Sequence, residues 1–434
     1  MARLTPRPEI ASLWRDTASP PQRFAALTGE RRADVVIVGG GYTGLNAARR
    51  LGQRGVDAVV LEASRIGWGA SGRNGGVVSG KYRLTFSDIA RRFGLDTARR
   101  MHDIGCEAIA NVAELVETCG IADAGWRESG NLRCAHNAVS LDGLKAESAW
   151  LHGTLGDTAT RILDAAEMQA ETGSSAFTGG LLNTHGGVIH PLNFVRGIAR
   201  GVAAAGAAVH EQSPVTGIRR DGADVVVATA SGAVRARQVI LATNAYSDLS
   251  PVTGALPRTL IPFRSAMIAT APLTGTAGEK LIPTGRSYTE TRRMMRWFRK
   301  AGDRMLFGGR GAFGREDSEA AFAALHKALV AQFPELAGTA ITHRWSGLVA
   351  LTLDSLPHVG RIDERLCYAA GYNGTGVAMS TLMGRYVADI ALGETPDIGL
   401  MATARLKTVP FYAVREPAVR LVAGWYQFLD AIGR

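Results

Sequence analysis

The chain has 434 residues, 46% of them hydrophobic and 20% charged, so it can bury a sizeable core and is neither fibrous nor disordered. That length allows two or three domains, or one large two-part enzyme. The formal net charge of +10 rests on scattered arginines, apart from a run at Arg286, Arg292, Arg293, Arg296, Arg299 and Lys300. A nucleic-acid binder would gather such charge into one stripe with aromatic residues between, so a solvated basic face is expected for most of it. Attraction of an acidic substrate or an anionic cofactor is the functional alternative.

Residues 1–33 read as an extended lead-in with Pro6, Pro8, Pro20 and Pro21 and a short helix at 9–15. Asp34-Val35-Val36-Ile37-Val38-Gly39-Gly40-Gly41-Tyr42-Thr43-Gly44 follows. This has the form of a strand, a tight turn and a helix start, where free N–H groups and the positive end of the helix dipole can hold a pyrophosphate. Gly39 permits the turn, Gly41 the approach of the phosphates, and Gly44 close packing of helix on strand. Residues 45–54 read as helix and 57–61 as a second strand ending in Glu62, which is placed to accept hydrogen bonds from a ribose diol and to repel a 2′-phosphate.

Residues 65–76 hold a run of glycines around Trp68, Ser71, Arg73 and Asn74, which suits a loop that wraps a ligand with its backbone. Apolar spacing from 86 to 119 predicts one long helix, bent at Gly94 or Gly105. A strand at 130–135 and helices at 139–152, 165–170 and 192–205 follow. Strands are expected at 207–211, 215–219, 224–229 and 234–241, the last running into Ala242-Thr243-Asn244 at a ligand crevice. The alternation at 260–270, 287–299 and 304–308, with a helix at 317–332, predicts a separate and largely antiparallel sheet. Residues 341–351 are expected to rejoin the first domain. A strand at 366–370 then leads through Gly371-Tyr372-Asn373-Gly374-Thr375-Gly376 into a helix running to about 392, a second glycine-rich helix start. The tail at 416–432 is amphipathic through Val419, Leu421, Val422, Trp425, Phe428, Leu429 and Ile432, and is expected to pack on the body rather than on a membrane.

Cys106, Cys119, Cys134 and Cys367 form no Cys-x-x-Cys pair, and no histidine cluster accompanies them. Reduced, buried thiols in a cytoplasmic protein are expected, with no metal site. No run reaches the roughly 18 apolar residues of a membrane span, and no signal peptide is evident.

The motifs Gly39-x-Gly41-x-x-Gly44, Glu62-Ala63-Ser64, Gly69-Ala70-Ser71-Gly72-Arg73-Asn74-Gly75-Gly76, Leu241-Ala242-Thr243-Asn244-Ala245 and Gly371–Gly376 occur in that order. The set resembles the D-amino acid oxidase-type family of FAD-dependent amine oxidoreductases, and within it the gamma-glutamylputrescine oxidase-like branch. The resemblance covers about residues 30–390. It implies an α/β (α+β) fold: a Rossmann-like FAD domain at 34–85, 155–250 and 341–400, and a discontinuous, largely antiparallel substrate domain at 86–154 and 251–340. A lead-in at 1–33 and a helical tail at 401–434 complete the chain.

The resemblance also implies roles. Gly39, Gly41, Tyr42, Thr43 and Gly44 would hold the pyrophosphate, and Glu62 and Ala63 the adenosine ribose. Gly69, Ala70, Ser71, Asn74, Gly75 and Gly76 would line pyrophosphate, ribityl chain and flavin. Val215 would bond the adenine through its backbone, and Thr243 and Asn244 would close the cofactor from the other side. Gly347, Asn373, Gly374, Thr375, Gly376 and Val377 would meet the flavin, the helix start facing its pyrimidine ring. Arg73 and Tyr372 would act beside the ring. Some relatives link the flavin through cysteine; Trp345-Ser346-Gly347-Leu348 has Gly347 where that cysteine would stand, so FAD is expected to be non-covalent.

The reaction implied is oxidation of a C–N bond in a small-molecule amine, with oxygen or another acceptor taking the electrons. The alternation Met295-Arg296-Trp297-Phe298-Arg299 suggests a substrate wall in which Trp297, with Trp345, packs an aliphatic chain and Arg299 clamps a carboxylate. His358 reads as structural. Two other classes stand beside this reading. An NAD-dependent dehydrogenase would leave residues 65–76 and 371–376 unexplained. An electron-transfer subunit would fit the basic surface and the amphipathic tail.

Overall fold

The computed structural model describes residues 9–249, 252–312, 317–403 and 406–431; Pro6, Pro8 and Ile432 lie outside them. The β-branched run Val35–Val38 is wholly buried because its strand, Gly29–Val38, sits in the middle of a sheet. Parallel neighbours flank it, Ala58–Leu61 on one side and Gly232–Leu241 on the other. Such a strand needs apolar side chains on both faces, which explains a continuous rather than alternating pattern. Among the described residues the sheet has nine strands. It continues through Ala208–His210 at one edge and through Leu366–Ala370, His358–Arg361 and Ala402–Thr403 at the other; Asp224–Ala228 hangs antiparallel from Gly232–Leu241, and Gly217–Asp221 pairs antiparallel with Asp224–Ala228 in turn. Helices Tyr42–Gln53, Pro191–Ala204 and Gly376–Ala391 belong to the core on one face, where Leu45, Ile198 and Leu382 are fully or almost fully buried.

Among the described residues the second sheet has eight strands, in the order Ile341–Leu351, Ile261–Thr270, Arg304–Ala312, Arg296–Ala301, Ser287–Glu290, Asn131–Ala135, Gly179–Asn183, Thr160–Leu163. Its pairings are antiparallel except where Ser287–Glu290 meets Asn131–Ala135. The fold is therefore mixed α/β with a largely antiparallel second layer, as the sequence pattern predicts.

The partition of the chain between the layers differs from expectation. Ile341–Leu351 does not rejoin the first sheet; it pairs with Ile261–Thr270 along its length. Thr160–Leu163 and Gly179–Asn183 also belong to the second sheet. Helices Phe86–Phe93 and Leu95–Thr118 lie instead in the core beneath the first sheet, through Ile89, Met101 and Ile104. Apolar periodicity says that a helix has a buried face, not which sheet that face covers. The expected single helix is two because Gly94 takes φ +93°, while Gly105 stays helical and serves a close approach to the backbone of Gly80. The stretch 287–299 is two strands around a turn, and the first helix runs Leu13–Thr17, with Ser12 accepting from the Arg15 N–H. The tail helix, Arg415–Ala431, forms, but Leu421, Val422, Trp425 and Phe428 face solvent rather than the body. Among the described residues no helix is long and apolar enough to cross a membrane.

Candidate functional site

The carboxyl ends of Gly29–Val38 and Gly232–Leu241 meet at Gly39, whose φ is +110°. A Cβ there would stand 2.8 Å from the Ala242 carbonyl oxygen, so only glycine fits. Gly44 is equally constrained, because its Cβ would run into the Gly39 carbonyl; helix and strand touch there, and Gly44 lies behind the cavity rather than in its wall. The helix start at Tyr42 has Gly41 as its cap, which brings no side chain; Ser71 Oγ accepts from the Tyr42 N–H (3.1 Å), and the N–H groups next along the turn are left to a ligand. Glu62 Oε2 accepts from the Gly40 N–H (2.8 Å) and Oε1 from the Ser64 N–H (2.9 Å), fixing the carboxylate at the end of Ala58–Leu61.

The glycine loop at 65–76 is anchored at its start by buried Glu211, which accepts from the Ile66 N–H (2.7 Å) and Arg65 Nη1 (2.8 Å). Asn74 stitches the loop internally. Its amide donates to the Ala70 and Ser71 carbonyls and its oxygen accepts from the Gly76 N–H. Three outside donors then hold successive parts of the backbone. Trp345 Nε1 reaches the Arg73 carbonyl (2.9 Å), Trp14 Nε1 the Asn74 carbonyl (2.8 Å) and Arg299 Nη1 the Gly76 carbonyl (2.9 Å). Arg299 Nη2 also donates to Ile189 (3.2 Å).

The expected substrate roles of Trp345 and Arg299 are thereby corrected. Neither lines the cavity; both brace the loop. Arg299 does share a strand face with Trp297, but its guanidinium lands on Gly76 and Ile189. Burial, with Arg127 nearby, pulls its pKa down to about 9. Gly76, at φ +66°, also lies outside the wall, its α-carbon against the Ile189 carbonyl.

The second glycine turn follows Leu366–Ala370. Gly371, Asn373 and Gly374 all take positive φ, at +79°, +54° and +96°. Asn373 is buried, and its side chain is spent on Thr352 and the Gly371 carbonyl, so it holds the turn and does not face the cavity. The helix Gly376–Ala391 again starts without a capping side chain. Tyr372 Oη and Thr43 Oγ1 are 2.6 Å apart and tie the two glycine turns together. Burial raises the Tyr372 pKa, which keeps the phenol neutral. Asn244, at φ +44°, accepts from the Gly371 N–H (2.9 Å) and joins this turn to the end of Gly232–Leu241.

These segments enclose a cavity of about 320 Å³. Its wall includes Gly39, Gly41, Tyr42, Thr43, Glu62, Ala63, Gly69, Ala70, Ser71, Arg73, Asn74, Gly75, Val215, Thr243, Asn244, Gly347, Tyr372, Gly374, Thr375, Gly376 and Val377. Arg73 lies over the Trp68 ring at 4.3 Å and donates from Nε to the Trp68 carbonyl (2.6 Å). His358 lies outside the wall and pairs with Asp354 at 2.8 Å.

The second sheet and its turns supply further wall, including Phe263, Ser265, Met267, Thr289, Met295 and Trp297. Of these, sequence reasoning singled out only Trp297. Its indole is seated on Gly308, where any Cβ would collide with the ring, and it lies against Gly75. Lys81 was also missed. It lines the cavity with Nζ 3.3 Å from Thr289 Oγ1. A lone lysine just past the glycine loop carries no signal that separates it from a surface residue.

The donor set fits an FAD. Two uncapped helix starts, glycine walls that any Cβ would narrow, and an acidic acceptor at the second strand end suit a pyrophosphate, a flat ring and a ribose. The family profile described as FAD dependent oxidoreductase matches residues 34–390. Gamma-glutamylputrescine oxidoreductase of Escherichia coli strain K12 is 35% identical over 98% of this chain and 99% of its own. A probable oxidoreductase, OrdL, of Haemophilus influenzae is 31% identical over 97% of each chain. Among solved structures, glycine oxidase from Geobacillus kaustophilus superposes with a TM-score of 0.72 at 23% identity, covering 87% of this chain and all of its own. L-proline dehydrogenase from P. horikoshii does so with a TM-score of 0.70 at 20% identity, covering 84% and 95%. With the family match running through both glycine turns and full-length relatives above 30% identity, the chain belongs to the family of FAD-dependent oxidoreductases.

Proposed function

We propose that the protein oxidises the C–N bond of an amine that carries an acidic group, with FAD held non-covalently and oxygen as the final acceptor. The relatives named for gamma-glutamylputrescine and glycine support the amine class. The observation that carries the reading is the join between the two halves of the cavity. Gly75 of the cofactor loop lies directly against Trp297 and Met267 of the second sheet, so a substrate on that wall meets the cofactor with no residue between.

FAD, when bound, supplies the acceptor for a hydride from the carbon beside the nitrogen, and the imine so formed is hydrolysed in water. The protein's own part is placement and field. Phe263, Met267, Met295 and Trp297 offer an apolar wall for a methylene chain. Lys81 offers a cation to the acidic end. The helix start at Gly376 and the Arg73 guanidinium set positive potential at the cofactor, which favours its reduced, anionic form. Among the described residues the charged side chains of the wall are Glu62, Arg73 and Lys81, and the Glu62 oxygens accept from the Gly40 and Ser64 N–H groups. The reading therefore has the substrate amine bind neutral rather than lose its proton to a wall carboxylate.

Anaerobic mixing with amines that do or do not carry a carboxylate tests this. The flavin band should bleach, and faster with the acidic amines. Readmitted air should restore the band with release of hydrogen peroxide. Bleaching by no amine would refute the reaction, and a band that stays bleached in air would refute the oxygen step. None of the four cysteines lines the cavity, which supports non-covalent binding. Acid precipitation should leave the yellow colour in the supernatant; colour in the pellet would refute that point.

A further inference from the structure

We infer that the C-terminal helix Arg415–Ala431 is a docking element for the anionic surface of a lipid bilayer. Its inward stripe is Arg415, Val419, Ala423, Tyr426 and Asp430, spaced by three or four residues, with Ala423 and Asp430 buried. The opposite stripe, Val414, Leu421, Trp425 and Phe428, is also helically spaced and points at solvent. Leu421 is 76% exposed, Trp425 58% and Phe428 52%. The Trp425 and Phe428 rings stack at 5.6 Å, so the apolar side chains form one ridge rather than scattered points. Phe411, just before the helix, extends it at 87% exposure. A soluble surface rarely carries such a ridge without an occupant.

The helix is not a loose tail. Arg415 pairs with Asp248 (3.0 Å), and Tyr412 donates to the same carboxylate (2.9 Å). At the other end Asp430 accepts from the N–H groups of Arg293 (3.0 Å) and Met294 (2.9 Å). Both anchors adjoin the cavity wall, one through Asn244 and Tyr246 and the other through Met295. The ridge is thus presented rigidly, on a helix tied to the rim of the site.

Charge selects the occupant. Exposed cations surround the helix: Arg420 on it, Lys407 before it, Arg258 within electrostatic reach of Tyr412, Arg83 within reach of Tyr426, and Arg293 beside Asp430. Of the nearby acids, Asp248 and Asp430 are engaged in the anchors, and Glu416, exposed in the first turn of the helix, is outnumbered by this collar of cations. Two copies of a chain with net charge +10 would bring like charge to like across this face, whereas an anionic bilayer attracts the collar and takes up the aromatic ridge. As no described helix can span a bilayer, the helix would lie in the interface rather than cross it.

The test is co-sedimentation of the full-length holoenzyme with vesicles of phosphatidylcholine alone or mixed equally with phosphatidylglycerol. Binding to the mixed vesicles only, weakened by salt, is expected. The variant Leu421→Ser/Trp425→Ser/Phe428→Ser should lose binding by about tenfold or more while keeping its flavin spectrum and melting temperature. Arg258→Glu/Arg420→Glu should lose the preference for the anionic lipid. Failure of the wild type to sediment with the mixed vesicles at low salt would overturn the proposal. So would undiminished binding by the serine variant, or a wild-type dimer that the serine variant dissolves while neither binds lipid. None of these outcomes bears on whether the flavin bleaches with an amine, so this inference and the proposed reaction stand or fall separately.

Discussion

Replacing Arg299 with methionine separates a brace from a substrate clamp. The side chain is 5% exposed and gives its two terminal nitrogens to the Gly76 and Ile189 carbonyls, with its guanidinium 5.2 Å from the centre of the Trp14 ring. Methionine fills similar volume but leaves the buried Ile189 carbonyl unpaired, at about 1–3 kcal/mol, while the Gly76 carbonyl keeps the Ile189 N–H (2.9 Å). Removing a buried cation returns part of its desolvation cost, so the net loss is about 1–2 kcal/mol. Unfolding entropy of about 2.1 cal/mol/K per residue gives roughly 0.9 kcal/mol/K for a chain of this length. The melting temperature should therefore fall by about 1–2 °C. Because Gly76 ends the cofactor loop, FAD affinity should fall too, by about tenfold. The assay pairs thermal denaturation and FAD titration with KM values for an acidic and a neutral amine. An unchanged melting temperature and FAD affinity, together with a KM raised only for the acidic amine, would refute the brace and restore the clamp.

Lys81→Met should give the reverse signature, raising KM for acidic amines by about tenfold with kcat, melting temperature and neutral amines little changed; equal effects on both amines would count against a carboxylate partner. Gly41→Val would put side-chain bulk where Ser71 Oγ already stands 3.0 Å from a first added carbon. The apoprotein should fold and purify colourless, and retention of normal FAD affinity would show that the pyrophosphate sits elsewhere. His190 accepts from the Asn193 N–H at Nδ1 (3.2 Å), and burial, with Arg299 close, lowers its pKa to about 4. The folded state therefore takes up this proton later than the unfolded chain, and stability should fall as pH drops from about 6.5 to about 4. His190→Asn should flatten that part of the stability profile measured by urea unfolding, and an unaltered slope would remove His190 from the account.

The first sheet was legible because its signals are local. A β-branched strand, three glycines and a helix start lie within eleven consecutive residues, and the physical requirements at Gly39 and Gly44 are met by neighbours a few positions away or on the adjoining strand end. The substrate wall was not legible because Phe263, Thr289, Met295 and Trp297 come from three strands and a turn, and they meet only once antiparallel register is set. Arg299 shows where alternation stops being informative. Period two correctly puts it on the face of Trp297, but the role of that face changes within two residues, from open cavity to the Gly76 carbonyl. The strand His358–Arg361 escaped notice because four residues with a central glycine carry no pattern.

Those misplaced side chains explain the potential of the site better than the net charge does. Trp14, Trp345 and Arg299 all lie outside the cavity, and each draws a loop carbonyl toward itself, at Asn74, Arg73 and Gly76 respectively. With those oxygens turned away, the loop does not present a negative row to a bound pyrophosphate. The two uncapped helix starts at Tyr42 and Gly376 meanwhile offer N–H groups, and Arg73 and Lys81 add positive charge to the same wall. The positive field arises from how backbone dipoles are oriented within a few ångströms, where the interior screens little. The scattered arginines that give the chain its +10 sit mostly in exposed pairs or in water, where screening leaves them little effect on the cavity. The loop's outward hydrogen bonds are accordingly as much a part of cofactor binding as the glycines that face it.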